Sequence, residues 1–262
     1  MNKLEKLITI NELLLKDQPQ YSEDANTFPK DYKNQRRLMR SLMNVRYPRV
    51  IPEELVNLQN EFLMEEAEEK GVVHVDELLV SSKDERLVLW QGDITRLDAD
   101  AIVNAANSQM LGCFVPCHGC IDNAIHSAAG MQLREECARI MRQQGHEEET
   151  GKAKITSAYN LPAKHVIHTV GPIIYSKLTA KDEGLLASCY RSCMECAAEK
   201  NLRSIAFCCI STGEFHFPNE RAAQIAVETV KQYLDEHIES SINKVVFNVF
   251  KDIDLQIYQE LL

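Results

Sequence analysis

The sequence predicts a three-layer α/β/α domain with a mixed, mostly parallel central sheet, preceded by a small helical N-terminal extension. Three observations carry this expectation. From Arg86 onward short β-rich runs alternate with helical patterns, several of those runs are apolar throughout, and residues 1–80 show helical periodicity alone. A strand without polar alternation must be covered on both faces, which places helices on either side of the sheet. The chain is expected to divide into an extension over 1–80 and a main domain over 86–262.

Taken in order, LEKLITINELLL, NQRRLMRSLMNV and EELVNLQNEFLMEEAEEKG repeat apolar residues at three- and four-residue steps. DQPQYSEDANTFP and RYPRVIP break them with proline and turn-forming residues. EEAEEK reads as a solvated helix face. Few side chains here suit catalysis, so the extension is expected to pack on the main domain or serve a partner. RLVLWQGDI, DAIVNAAN, AKITSAYNL, HVIHTVGP, SIAFCCIS and KVVFNVF then read as strands. Helical patterns run from Ile121 to Gln144, Asp182 to Lys200 and Asn219 to His237, with a last one after Asp252.

The chain has 262 residues, enough for one large domain or a smaller one with an appendage. A formal charge of −10 excludes a nucleic-acid backbone as the main partner, since no basic excess exists to displace counterions. It leaves room for a small anionic ligand, because backbone amides hold phosphate oxygens without net positive charge. The N-terminal segment MNKLEKLITINELLLKD lacks a continuous apolar region and a cleavage site, and no window has the length of a membrane span. A cytoplasmic protein without membrane attachment is expected. Its nine cysteines then read as reduced thiols or metal ligands.

The stretch richest in reactive side chains runs from Asn104 to Gly130. It leaves an apolar strand, crosses a loop with Gly112 and Pro116, and enters a helix near Ile121, the arrangement with which α/β folds build ligand sites. Cys113, His118 and Cys120 have the spacing Cx4HxC. Two thiolates and an imidazole on one short loop can turn onto one ion, and sulfur with nitrogen suits zinc better than magnesium or calcium. Cys117 is either a fourth ligand, which closes the site, or a bystander, which leaves a position open. The plainer reading is a set of buried thiols that happen to lie close together.

Cys189, Cys193 and Cys196 fall on one helix face with Leu185 and Leu186 and are expected in the core, as are Cys208 and Cys209 in their strand. The CxxC spacing of Cys193 and Cys196 lies inside the helix, away from the terminus that would stabilise a thiolate. A second loop, TGEFHFP, follows the strand SIAFCCIS. Its small residues Ser211, Thr212 and Gly213 would let backbone amides approach phosphate oxygens, and Phe215 and Phe217 offer rings to a sugar. Taken alone it also reads as a plain connection before a capped helix.

Together GDIT (92–95), AIVNAAN (101–107), AIHSAAG (124–130), TVGP (169–172) and ISTGEFHFP (210–218) resemble, in order, the macrodomain family. The resemblance spans Arg86 to Leu262, and the Cx4HxC insertion is similar to that of the zinc-dependent microbial branch, the protein ADP-ribose hydrolases. It implies that Asp93 accepts a hydrogen bond from the adenine amine, with the Ile94 amide beside it. A carboxylate suits that task because it only accepts. It further implies that Ser211, Thr212, Gly213, Glu214 and Phe215 line the diphosphate, with the Glu214 carboxylate turned away from it. Phe217 would pack on the distal ribose, and Asn104 and Asn107 belong to the ligand-binding set. Asn107, Asp122 and His126 are the implied catalytic residues, and Cys113, His118 and Cys120 the implied zinc ligands. CFVPCHGC stands where zinc-free relatives carry a glycine run.

The expected activity is zinc-assisted removal of mono-ADP-ribose from a modified protein, with Asp122 positioning or deprotonating a water and His126, one turn on, orienting that carboxylate. Plainer roles are an N-terminal helix residue for Asp122 and a core histidine for His126. An ADP-ribose reader without catalysis and an O-acetyl-ADP-ribose deacetylase are the alternatives. The branch is associated with a sirtuin-type transferase and a lipoyl-carrier protein, the partners the resemblance implies. His146, His165, His168 and His216 carry no assigned role; His168 is expected to be structural, and His216 is a reserve candidate beside the ligand loop.

Overall fold

The computed structural model describes all residues from Met1 to Leu262. The extension comprises α1 (Lys3–Asp17), the single turn α2 (Ser22–Ala25), α3 (Tyr32–Val45) and α4 (Glu53–Lys70). Asn2 and Glu5 begin α1 with a reciprocal capping box, and the Asp31 side chain caps α3. Leu7, Ile10 and Leu14 of α1 meet Leu38, Met39 and Leu42 of α3 and Leu55, Phe62 and Leu63 of α4 in a separate small core. Met131 of the main domain enters that core.

The main domain contains β1 (Leu87–Gln91), β2 (Ala101–Ala106), α5 (Ile121–Ala129), α6 (Met131–Gln144), β3 (Ala153–Ser157), β4 (His165–Val170), α7 (Ala180–Glu199), β5 (Ser204–Phe207), α8 (Asn219–Glu236), β6 (Lys244–Val249) and α9 (Asp252–Leu261). The strands form one sheet in the order β1-β6-β5-β2-β4-β3, parallel except for β3 at the edge. Helices α5 and α6 cover one face, and α7, α8 and α9 the other. The large core lies between these layers, so the three-layer architecture and its helical extension are those expected from the sequence. Cys189 and Cys193 are fully buried in it, and Cys208 is also buried. No helix is long and apolar enough to cross a membrane.

The topology positions the site. After β2 the chain moves to β3 and β4 on one side, and it returns to β5 on the other. Loops leaving β2 and β5 therefore diverge, opening a crevice at the carboxyl ends of two adjacent parallel strands.

One element differs from expectation. The helical run from Ile121 to Gln144 is two helices, broken at Gly130, whose φ of 98° and ψ of 174° belong to a region nearly reserved for glycine. Apolar spacing continues through the break, and so periodicity alone merged the two. The break lets α5 end on β2 while α6 turns Met131 into the extension's core. Gln59 of α4 accepts from the Met131 amide at 2.9 Å, and Asn160 donates to the Ala129 carbonyl at 2.8 Å. A Cβ at Gly130 would lie 2.6 Å from Gln59 Nε2. Gly130→Ala is expected to destabilise the protein by about 1–3 kcal/mol through backbone strain, read from urea unfolding curves.

Candidate active site

Cys120 ends the loop that follows β2 and is also the N-cap of α5, its Sγ accepting from the Asn123 amide at 3.4 Å. The ligand-type atoms of Cys113, His118 and Cys120 lie within 4.8 Å of one another, so the three residues of the Cx4HxC spacing come together. Burial pushes the Cys120 thiol up to about 12, and the neighbouring Cys113 adds to the shift. His118 Nδ1 is buried without a hydrogen-bond partner. A buried thiol at Cys120, a second sulfur at Cys113 and an unpartnered imidazole nitrogen make a donor set that a metal cation would satisfy.

Cys117 points elsewhere. Its Sγ lies 3.3 Å from Ser41 Oγ of α3, and its amide donates to Asn44 Oδ1 at 2.9 Å. Its φ of 53° turns the backbone toward the extension. The cluster therefore has three protein donors, Cys113, His118 and Cys120.

Asp122, at the second position of α5, is buried at 5 % exposure. Burial raises its carboxyl to about 6, against the hydrogen bond from Asn104, which donates Nδ2 to Oδ1 at 2.8 Å. Asn107, half-buried at the end of β2, turns Nδ2 to the Gly112 carbonyl at 3.2 Å and toward Asp122 Oδ2 at 3.5 Å. Both asparagines thus converge on one carboxylate. His126, one turn along α5, has Nε2 3.5 Å from Asp122 Oδ1, and neither ring nitrogen makes a hydrogen bond. Burial holds its pKa well below the usual value, with His168 and Arg134 acting in the same direction, so the ring is neutral. A Cβ on Gly112 would lie 2.9 Å from this ring, which explains the glycine at the loop's first bend.

The loop after β5 faces the same crevice. Ser211, at φ 65°, accepts the Phe217 amide on its carbonyl at 2.9 Å, and the Gly213 carbonyl accepts from the His216 amide at 3.1 Å. Thr212 Oγ1 donates to the Cys209 carbonyl at 3.0 Å. The Phe215 carbonyl accepts from the Ile174 amide at 2.9 Å, tying the loop to the segment after β4. The amides of Gly213, Glu214 and Phe215 donate to nothing within the chain, so three consecutive donors stand open. Glu214 is exposed, and its Oε1 lies 3.9 Å from His118 Nε2, on the side of the three-ligand cluster. The Phe215 ring is half-buried, whereas Phe217 is packed in the core at 1 % exposure. His216 is exposed.

At the far end of the crevice, after β1, Asp93 caps a single helical turn through Oδ1, which accepts from the Thr95 amide at 3.0 Å and hydroxyl at 2.7 Å. Oδ2 and the Ile94 amide make no hydrogen bond within the chain.

The Macro domain family profile matches residues 103–226, spanning both loops. A Treponema medium protein-ADP-ribose hydrolase is 48 % identical over 264 residues, covering all of both chains. The chain belongs to the macrodomain family. Among solved structures, an Oceanobacillus iheyensis macrodomain mutant with ADPR is 40 % identical at a TM-score of 0.60, covering 66 % of this chain and 90 % of that one. A Trypanosoma brucei macrodomain in complex with ADP-ribose is 29 % identical at a TM-score of 0.66, covering 85 % and 94 %.

A second constellation lies beneath this macrodomain's crevice, where His126, Cys137 and His168 bring ligand-type atoms within 4.8 Å of one another, all buried. Cys137 carries no spacing signal in the sequence, because it sits on α6, outside the cysteine loop. His168 Nδ1 faces Asn104 Nδ2 at 3.1 Å and Nε2 faces Thr156 Oγ1 at 3.0 Å, so both its nitrogens are engaged. Burial pushes the Cys137 thiol well above its ordinary value. These groups serve as packing and as the support of Asn104.

Burial also lowers the His168 pKa to about 3. The unfolded chain takes up this proton below about pH 6.5 while the folded chain does not, so the stabilisation present above pH 6.5 is lost as pH falls toward 3. His168→Gln is expected to lower stability at pH 7 but to flatten the decline between pH 6 and 4 by about 1 kcal/mol per pH unit, measured by urea unfolding across that range.

Proposed function

We propose that this macrodomain is a zinc-dependent hydrolase that removes mono-ADP-ribose from modified proteins. The observation that carries the reading is the meeting of two loops. A three-donor soft cluster and three open backbone amides stand at the same end of the sheet, with Glu214 Oε1 within 3.9 Å of His118 Nε2. The Treponema medium relative, matched over its whole length, is named a protein-ADP-ribose hydrolase, and the related structures hold ADPR or ADP-ribose.

In this reading the free Asp93 Oδ2 accepts the adenine amine and the Ile94 amide donates beside it. The Gly213, Glu214 and Phe215 amides hold the diphosphate, with Ser211 and Thr212 shaping the loop and the Glu214 carboxylate turned out of it. Asn104 and Asn107 fix the distal ribose and the carboxylate beneath it. Phe215 offers the partly open ring to the sugar, while Phe217 supports the loop from below. Asp122, raised to about 6 by burial, orients a water and takes its proton. His126, neutral, keeps that carboxylate from solvent and packs the Gly112 bend.

Cys113, His118 and Cys120 would hold the zinc, two sulfurs and an imidazole being a donor set that suits this ion. When bound, zinc supplies Lewis-acid polarisation at the distal ribose. The substrate is a protein bearing a single ADP-ribose; a lipoyl-carrier protein modified by a sirtuin-type transferase is the proposed pairing, and the cytoplasm the proposed compartment.

Release of ADP-ribose from a mono-ADP-ribosylated protein should stop when the enzyme is stripped by chelator and resume on reloading with zinc. Cys113→Ala should lose both bound zinc and turnover, and Asp122→Asn should keep its zinc while turnover falls about 100- to 10,000-fold. Stoichiometric binding of ADP-ribose without release, indifferent to stripping, would instead make the protein a reader.

A further inference from the structure

The six residues from Cys113 to His118 contain no helix or strand, yet two of the three ligands lie on them. What holds this segment comes largely from more than seventy residues upstream. Arg40 of α3 donates Nη2 to the His118 carbonyl at 3.0 Å and both Nε and Nη2 to Asn123 Oδ1, at 3.0 and 2.6 Å. Asn123 in turn donates Nδ2 to the Val115 carbonyl at 3.0 Å. Asn44 Oδ1 accepts the Cys117 amide at 2.9 Å, while its Nδ2 donates to Ser127 Oγ at 3.0 Å. Tyr47, just past the end of α3, stacks on Phe114 with ring centroids 5.0 Å apart.

Arg134 of α6 completes the clamp. It donates to the carbonyls of Met43, Asn44 and Arg46 at 3.1, 2.7 and 2.8 Å, and to that of Cys113 at 3.3 Å. One guanidinium thus fastens the end of α3 and the first metal ligand together.

We infer that the extension is part of the metal site: Arg40 and Asn44 are positioning residues that hold the Cys113–His118 segment in ligand geometry. The inference rests on the zinc reading above and goes beyond it in placing control of metal affinity outside the α/β domain. Ordering a loop of this length costs conformational entropy. With the extension docked that cost is met in folding; without it, metal binding itself must order the loop. Outer partners of metal ligands typically change metal affinity about 10- to 100-fold when removed.

The test measures zinc affinity of the full-length protein by competition with a chelating indicator. It is paired with the thiolate-to-cobalt absorption of the cobalt-loaded form and with ADP-ribose affinity by calorimetry. Arg40→Ala and Asn44→Ala should each weaken zinc about 10- to 100-fold and alter the cobalt spectrum, leaving ADP-ribose affinity within about twofold. Arg40→Lys, which keeps the charge but not the fork, should fall between Arg40→Ala and the parent. Arg36→Ala, on the same helix but paired with Glu66 at 2.7 Å inside the extension, serves as control and should leave zinc affinity unchanged.

Zinc affinities for Arg40→Ala and Asn44→Ala within twofold of the parent would overturn the inference, as would an equal loss in Arg36→Ala. Should Arg40→Ala not fold, Arg40→Lys and Asn44→Ala decide the question by the same measurement. A parent that binds no zinc, or a Cys113→Ala protein that binds it equally well, would remove the zinc reading and this inference with it. Normal zinc binding in the parent and in Arg40→Ala would remove the inference alone.

Discussion

The capping of α5 by Cys120 is the interaction on which the site depends. The same sulfur that ends the three-donor cluster accepts the first amide hydrogen bond of the helix, at 3.4 Å from Asn123 N. A helix amino terminus favours negative charge, so the ionised sulfur that a metal requires is the form the helix also prefers. Displacement of the helix would carry with it the cluster, Asp122 at its second position and His126 one turn beyond. The fold accordingly fixes α5 from both faces: β2 packs on one side, and α3 and α4 on the other.

Several buried polar groups are meaningful only in that setting. His168 has no direct role at the crevice, yet it holds Asn104, which holds Asp122. The chain of contacts from Thr156 through His168 and Asn104 to Asp122 passes across β3, β4 and β2 to α5. Each polar group in it is retained by partners on a neighbouring strand, as interiors require. Asn104 Oδ1 and both His126 nitrogens stay buried without a hydrogen-bond partner beside this network.

Much of this was legible in the sequence. Strand positions followed from apolar runs, and the Cx4HxC spacing named three side chains that meet in space. The Gly130 break was hidden because helical periodicity survives across a single residue, while a φ of 98° is a backbone property that apolar spacing does not encode. The two readings of Cys117 could not be separated by spacing, since the deciding contacts with Ser41 and Asn44 come from another part of the chain. The same is true of Cys137, which joins His126 and His168 only through the packing of α6 on the sheet. Local pattern names the groups with chemistry; the topology decides which of them share a site.

Charge explains why an acidic chain can still take an anionic ligand here. The protein carries a formal charge of −10, and Asp122 and Glu214 both stand near the crevice. Two cysteine thiolates would add to this repulsion, and burial resists the ionisation of Cys120, whose thiol is held up at about 12. A divalent cation cancels two thiolates, so in the zinc reading the cluster is neutral when occupied and leaves its imidazole uncharged. In the proposed reading, diphosphate recognition would fall to uncharged donors, the open Gly213, Glu214 and Phe215 amides, whose dipoles act at short range and do not depend on net charge. Arg40 and Arg134, which touch the cysteine loop, are committed to backbone carbonyls and to Asn123 Oδ1. Positive charge in this site therefore shapes the loop, and ligand selection is left to hydrogen-bond geometry.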